Sequence, residues 1–73
     1  MDIKIWSKTN CPMCEKSKAF LKNKNIDFSV MTIGVNATKE DLLNLLPSAR
    51  SVPQIFIDNV HIGGYNELIS KFS

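Results

Sequence analysis

The apolar positions along this chain change period repeatedly, and the changes mark out its elements. Ile3 and Ile5 alternate with polar neighbours, which predicts a strand over about residues 2–6. From Pro12 to about Lys24 the spacing turns helical: Met13, Ser17, Phe20, Leu21 and Lys24 fall on one stripe, with Lys16, Lys18 and Lys22 largely away from it. Pro12 suits the first helical turn, where a missing N–H leaves no bond unmade. Ile26, Phe28 and Val30 then alternate with Asp27, Ser29 and Met31, predicting a second strand at about 26–32. Strand, helix and strand within about 30 residues form a βαβ unit with parallel strands and a right-handed crossover. Thr38 and Asp41 are spaced as a capping box ahead of Leu42, Leu45 and Leu46, so a second helix is expected over about 39–46, stopping before Pro47. The runs QIFI and VHI, joined by Asp58-Asn59, read as an antiparallel hairpin. Tyr65, Leu68, Ile69 and Phe72 stand at i, i+3, i+4 and i+7, a short final helix after Gly63-Gly64. The order βαβαββα is satisfied by an α/β architecture with one mixed four-stranded sheet and three helices.

Length narrows this further. A chain of 73 residues with 44% apolar content makes one domain over residues 1–73, because so short a chain buries only ~60% of its unfolded surface and cannot divide into two cores. There are no repeats, linkers or low-complexity tracts, and a monomer is expected. The N-terminal MDIKIW alternates like a strand and has no secretory pattern, and no apolar run reaches the ~20 residues that span a bilayer. A cytoplasmic location without membrane attachment is the expectation. Net charge is +2, with six lysines against Asp2 and Glu15 in residues 1–25 and Lys39, Arg50 and Lys71 against five acids in the remainder. The excess base surrounds the cysteines, but the small charge and the lack of interleaved aromatics argue against nucleic acid as a partner. Short length with many Lys, Asn and Ile residues points to a small or AT-rich genome, a viral one included.

The two cysteines lie in KTNCPMCEKSK. A bridge spanning so few residues adds little chain-entropy stabilisation, so a staple is a poor explanation for the pair. Structural zinc normally takes four Cys or His ligands; beyond this pair the chain offers only His61, and no metal site is expected. An inert buried pair is the remaining bland alternative. In the strand-to-helix frame, however, Cys11 falls at the start of the first helix and Cys14 one turn inside. Free backbone N–H groups and the helix dipole there favour a thiolate, so Cys11 is the expected nucleophile and Cys14 the thiol that resolves its mixed disulfide. Lys8 stands close in sequence and can add positive charge. In SVPQIFI, a cis bond before Pro53 would leave the Val52 N–H and C=O free to pair with an extended peptide, although a strand-starting proline explains the segment equally well. The glycine pair in GGYNE precedes a helix whose free N–H groups would suit a carboxylate; a simple turn is again the alternative.

Taken together, CPMC, SVPQIFI and HIGGYNEL resemble a glutaredoxin of the dithiol type over nearly the whole chain. The resemblance implies a minimal thioredoxin fold and reduction of protein disulfides, or protein–glutathione mixed disulfides, with glutathione as co-substrate and no bound cofactor. It implies that Cys11 attacks, Cys14 resolves, Val52 pairs with the glutathione cysteine and Pro53 is cis. Pro12 and Met13 would flank the tripeptide, Gly64, Tyr65 and Asn66 would hold its γ-glutamyl end, and Lys8 would face its glycine carboxylate. Ribonucleotide reductase is among the implied protein partners. Met13 stands where the family usually has tyrosine, Ser51 where it has threonine, and Asn66 where an aspartate pairs with the glutathione amino group. The departures at Met13 and Asn66 keep open a glutaredoxin-like protein reduced directly by a thioredoxin reductase. A module holding an iron–sulfur cluster between two copies through Cys11 and glutathione is a further alternative, but Pro12 resembles the dithiol group and not the CGFS-type carriers.

Overall fold

The computed structural model describes residues 1–72. Its elements are β1 (Ile3–Lys8), α1 (Pro12–Asn23), β2 (Ser29–Ile33), α2 (Lys39–Leu45), β3 (Gln54–Ile57), β4 (Val60–Gly63) and α3 (Tyr65–Lys71). The strands form one sheet in the order β2-β1-β3-β4. β1 runs parallel to β2 and antiparallel to β3, and β3 and β4 form the expected hairpin. This is the mixed four-stranded sheet with three helices that the pattern predicts, and the minimal thioredoxin fold that the resemblance implies.

Strand alternation divides the apolar residues between two cores. Ile3, Ile5, Ile55 and Ile57 face one side and pack with Leu21 of α1 and Leu68 of α3. Trp6 and Phe56, offset by one residue, face the other and pack with Leu42 of α2. Helices therefore cover both faces, two on one side and one on the other. Each fully buried Ile or Leu contributes on the order of 2 kcal/mol through removal of its surface from water.

The element ends follow local chemistry. α1 closes with a Schellman motif: Asn25 takes a left-handed φ of 58°, Asn25 N–H donates to the Lys22 carbonyl, and Ile26 N–H donates to the Leu21 carbonyl. Ile26 is the apolar residue that such a motif places back against the helix, and it packs on the Leu21 core. The strand expected from residue 26 accordingly begins only at Ser29. The helical stripe also shifts. Cys14, Ser17 and Leu21 are the buried residues of α1, whereas Met13 is 38% exposed and Lys24 is exposed. With Cys11 as N-cap and Pro12 as the first helical residue, the inward turn falls on Cys14. The Thr38–Asp41 capping box is formed in both directions, at 3.1 and 3.0 Å. Asp58 and Asn59 both have positive φ, 51° and 66°, as the tight two-residue hairpin turn requires.

Topology decides what meets at the end of the sheet where β1 finishes. β2 is parallel to β1, so it also ends there. β3 is antiparallel and starts there, with Gln54 opposite Trp6, and β4 returns there, with Gly63 opposite Ile55. Segments 9–11, 51–53 and 63–65, distant in sequence, are thereby gathered at one edge.

Candidate active site

Cys11 is the N-cap of α1, with extended backbone at φ −117° and ψ 100°. Its Sγ accepts the Cys14 N–H at 3.2 Å, the role an N-cap oxygen usually plays. A sulfur so placed has a free helix N–H aimed at it and sits at the positive end of the peptide dipoles, an arrangement that holds negative charge on a thiolate. Cys11 and Cys14 are joined as a disulfide with their Cα atoms 5.2 Å apart. Cys11 is 7% exposed and Cys14 is 0% exposed. Only Cys11 can be reached from outside.

The Val52–Pro53 peptide bond is cis. Val52 O lies 3.8 Å from Cys11 Sγ. A disulfide sulfur has no proton to donate, so this is a contact in the oxidised protein; a Cys11 thiol has a carbonyl in reach. Among the described residues no backbone bond uses the Val52 N–H. The edge of an extended peptide could therefore pair here, beside the reachable sulfur. Gly64 packs against the same loop: a Cβ at that position would stand 3.3 Å from Pro53 O, so a side chain there would press on the loop. Gly63 has a φ of +123°, and a Cβ would run into the Glu67 side chain.

The glycine pair differs from its expected role in one respect. Gly64 N–H is not free: it donates to Glu67 Oε1 at 2.7 Å, so this chain's own carboxylate takes the bond that an incoming carboxylate was expected to use. Tyr65 is half-buried and Asn66 exposed on the first turn of α3. His61, on β4, bonds Gln54 at 2.7 Å and packs on Phe56, which belongs to the α2 face.

Lys8 and Val52 line a cleft of about 240 Å³ between the ends of β1 and β2, helix α2 and the loop before β3. Sequence reasoning placed only those two residues near a ligand. Lys39 and Arg50 also line the cleft, above an apolar floor that includes Leu42 and Leu43. Neither lies in a motif: sheet order brings Lys39 to Val52, whereas Arg50 stands two residues before Val52, just outside SVPQIFI. Among the described residues, Lys8, Lys39 and Arg50 form no ion pair.

Residues 3–62 match the glutaredoxin family model. Glutaredoxin 3 of Escherichia coli K12 is 39% identical over 67 residues, covering 92% of this chain and 81% of that protein. Glutaredoxin 1 of Francisella tularensis, solved in complex with cacodylate, superposes with a TM-score of 0.82 at 31% identity, covering 97% of this chain and 91% of that one. A buckwheat glutaredoxin–glutathione complex superposes with a TM-score of 0.80 at 26% identity, covering 96% and 66% of the two chains.

Proposed function

Since this chain belongs to the glutaredoxin family and is thereby a thiol–disulfide oxidoreductase, we propose that glutathione reduces it and that it passes the electrons to protein disulfides and protein–glutathione mixed disulfides. The observation that carries the reading is the placement of Cys11: the reachable sulfur, at a helix N-cap, 3.8 Å from the carbonyl of the residue before a cis proline. The glutathione complex of the buckwheat relative supports glutathione as the ligand.

In the reducing direction a glutathione thiolate attacks Cys11 Sγ, and Cys14 leaves as a thiolate that takes up a proton. A second glutathione attacks the glutathione sulfur of the mixed disulfide, which frees Cys11 and yields glutathione disulfide. In the forward direction Cys11 attacks a substrate disulfide, and Cys14 attacks Cys11 Sγ to release the second substrate thiol. Two electrons and two protons pass to the substrate in each cycle. The glutathione backbone pairs with Val52, its γ-glutamyl end lies toward Gly64, Tyr65 and Asn66, its glycine carboxylate faces Lys8, and Pro12 and Met13 flank it. Because Glu67 occupies the Gly64 N–H, the γ-glutamyl carboxylate has the Tyr65 and Asn66 N–H groups as its donors. The protein works as a cytoplasmic monomer, with ribonucleotide reductase among its acceptors; no helix of the described residues is long and apolar enough to cross a membrane.

The test is a coupled assay on a mixed disulfide, with glutathione and glutathione reductase in one arm and thioredoxin reductase in the other. Turnover in the first arm is expected. Turnover in the second arm alone would assign the electrons to thioredoxin reductase.

A further inference from the structure

Glycine, the last residue of glutathione, has no side chain and brings one carboxylate. The cleft beyond Val52 offers more than that residue can use. Half-buried Ile33, Leu43 and Ala49 form an apolar floor beside the buried Leu42, and the exposed Lys39 and Arg50 line it in addition to Lys8. No acidic side chain lines it among the described residues. Asp41, one turn along α2, is turned back to the Thr38 N–H, and Glu40 is outside the lining. An apolar floor open to water and three like charges without counterions are each unfavourable in the free protein, and a ligand that supplies both complements relieves them together.

We infer that this cleft receives the stretch of a protein substrate that follows its reactive cysteine, and that it selects stretches in which an apolar residue is succeeded by carboxylates. The direction rests on the glutathione reading above: if the tripeptide cysteine pairs with Val52 and its glycine end faces Lys8, a longer chain continues from Val52 past Lys8 and over Leu43 and Ala49. An aliphatic side chain then covers the floor, and the following carboxylates reach Lys39 and Arg50. The chemistry at Cys11 is unchanged. A dithiol plus a peptide disulfide gives a protein disulfide plus two peptide thiols, with the electron pair and both protons coming from Cys11 and Cys14.

The experiment is a single-turnover reduction, without glutathione, of peptide disulfides by the pre-reduced protein. Homodimers of a peptide with Cys-Leu-Glu-Glu are compared with Cys-Leu-Lys-Lys and Cys-Gly-Glu-Glu, and hydroxyethyl disulfide serves as a substrate too small to reach the cleft. The acidic leucine peptide is expected to react about tenfold faster than the basic one at low salt, and the gap should narrow as salt screens it. It should also outpace the glycine peptide. In a Lys39→Ala/Arg50→Ala double variant the acidic preference should fall to within about twofold, with hydroxyethyl disulfide reduced at the wild-type rate. Equal rates for acidic and basic peptides, or a preference that survives the double substitution, would overturn the inference. Because no glutathione is present, a failure of the glutathione reading shows only in the coupled assay and is not confused with a failure here.

Discussion

Cys11 and Cys14 are three residues apart, yet the fold gives them different surroundings: one caps a helix at the surface, and the other is sealed beneath it. In the reduced protein, alkylation at about pH 6 should therefore modify Cys11 first, since a helix-capping thiol stays ionised below the range where a free thiol does. Preferential modification of Cys14, read by peptide mapping, would reverse their roles. Ser7 is a second case in which position outweighs residue type. It is 0% exposed, and its hydroxyl has no hydrogen-bond partner among the described residues. An unmet buried hydroxyl costs about 1–3 kcal/mol, so Ser7→Ala should raise the melting temperature of the oxidised protein, by ~4–8 °C for each 1 kcal/mol gained. A melt at or below the wild-type temperature would mean that the hydroxyl has a partner in solution. Asn66 is exposed at the first turn of α3. If the glutathione ammonium group lies beside it, Asn66→Asp adds a partly screened charge contact and lowers the KM for glutathione-linked substrates a few-fold at low salt. An unchanged KM would place the ammonium elsewhere.

Among the elements, α2 has the least holding it. It is seven residues long, and Leu42 is its one buried side chain. Its register is set by the capping box and its position by that leucine. Thr38→Ala should cost about 1 kcal/mol through loss of the cap, and Leu42→Ala about 2–4 kcal/mol through the cavity it leaves. Hydrogen exchange should show the Leu42 variant losing protection first in α2, while the β1–β3 pairing keeps its own. Uniform loss across the sheet would show that α2 is not a separable unit. The boundaries of α2 were legible in the sequence because Thr38, Asp41 and Pro47 are local signals that act on their own backbone. The start of β2 was not. Ile26 alternates with its neighbours as a strand residue does, but the left-handed Asn25 turns it into the apolar cap of the preceding helix, and nothing in a period-2 pattern distinguishes these roles.

At the scale of the whole molecule, function depends on sheet order. Cys11 and Cys14 could be singled out from sequence by their placement at the start of a helix, whereas the segment around Val52 and Pro53 fits a strand-starting proline equally well and is singled out through the resemblance. Lys39 could not, since its proximity to Val52 exists only once β2, β1 and β3 are set side by side, and Arg50, though two residues from Val52, has no cleft to line until Lys8 and α2 are beside it. A disulfide that cycles with the glutathione couple should have a midpoint potential of roughly −200 to −230 mV, the range of glutaredoxins. A redox titration against glutathione buffers measures it, and a value below about −300 mV would mark the bond as structural.

The gathering of segments 9–11, 51–53 and 63–65 at one end of the sheet leaves the Asp58-Asn59 turn at the other. There the Asp58-Asn59 turn is tied to the first residues of the chain: Asp58 N–H donates to the Asp2 carbonyl at 2.7 Å, and Asp2 N–H donates to Asp58 Oδ1 at 2.8 Å. Met1 is exposed beside that clasp. The molecule thus has a handle and a working tip, separated by the length of its central strand. Tethered to a bead or an electrode through Met1, it is expected to present the cysteine loop outward and retain its solution rate, whereas attachment at Lys8 would put the surface across the path proposed for the substrate.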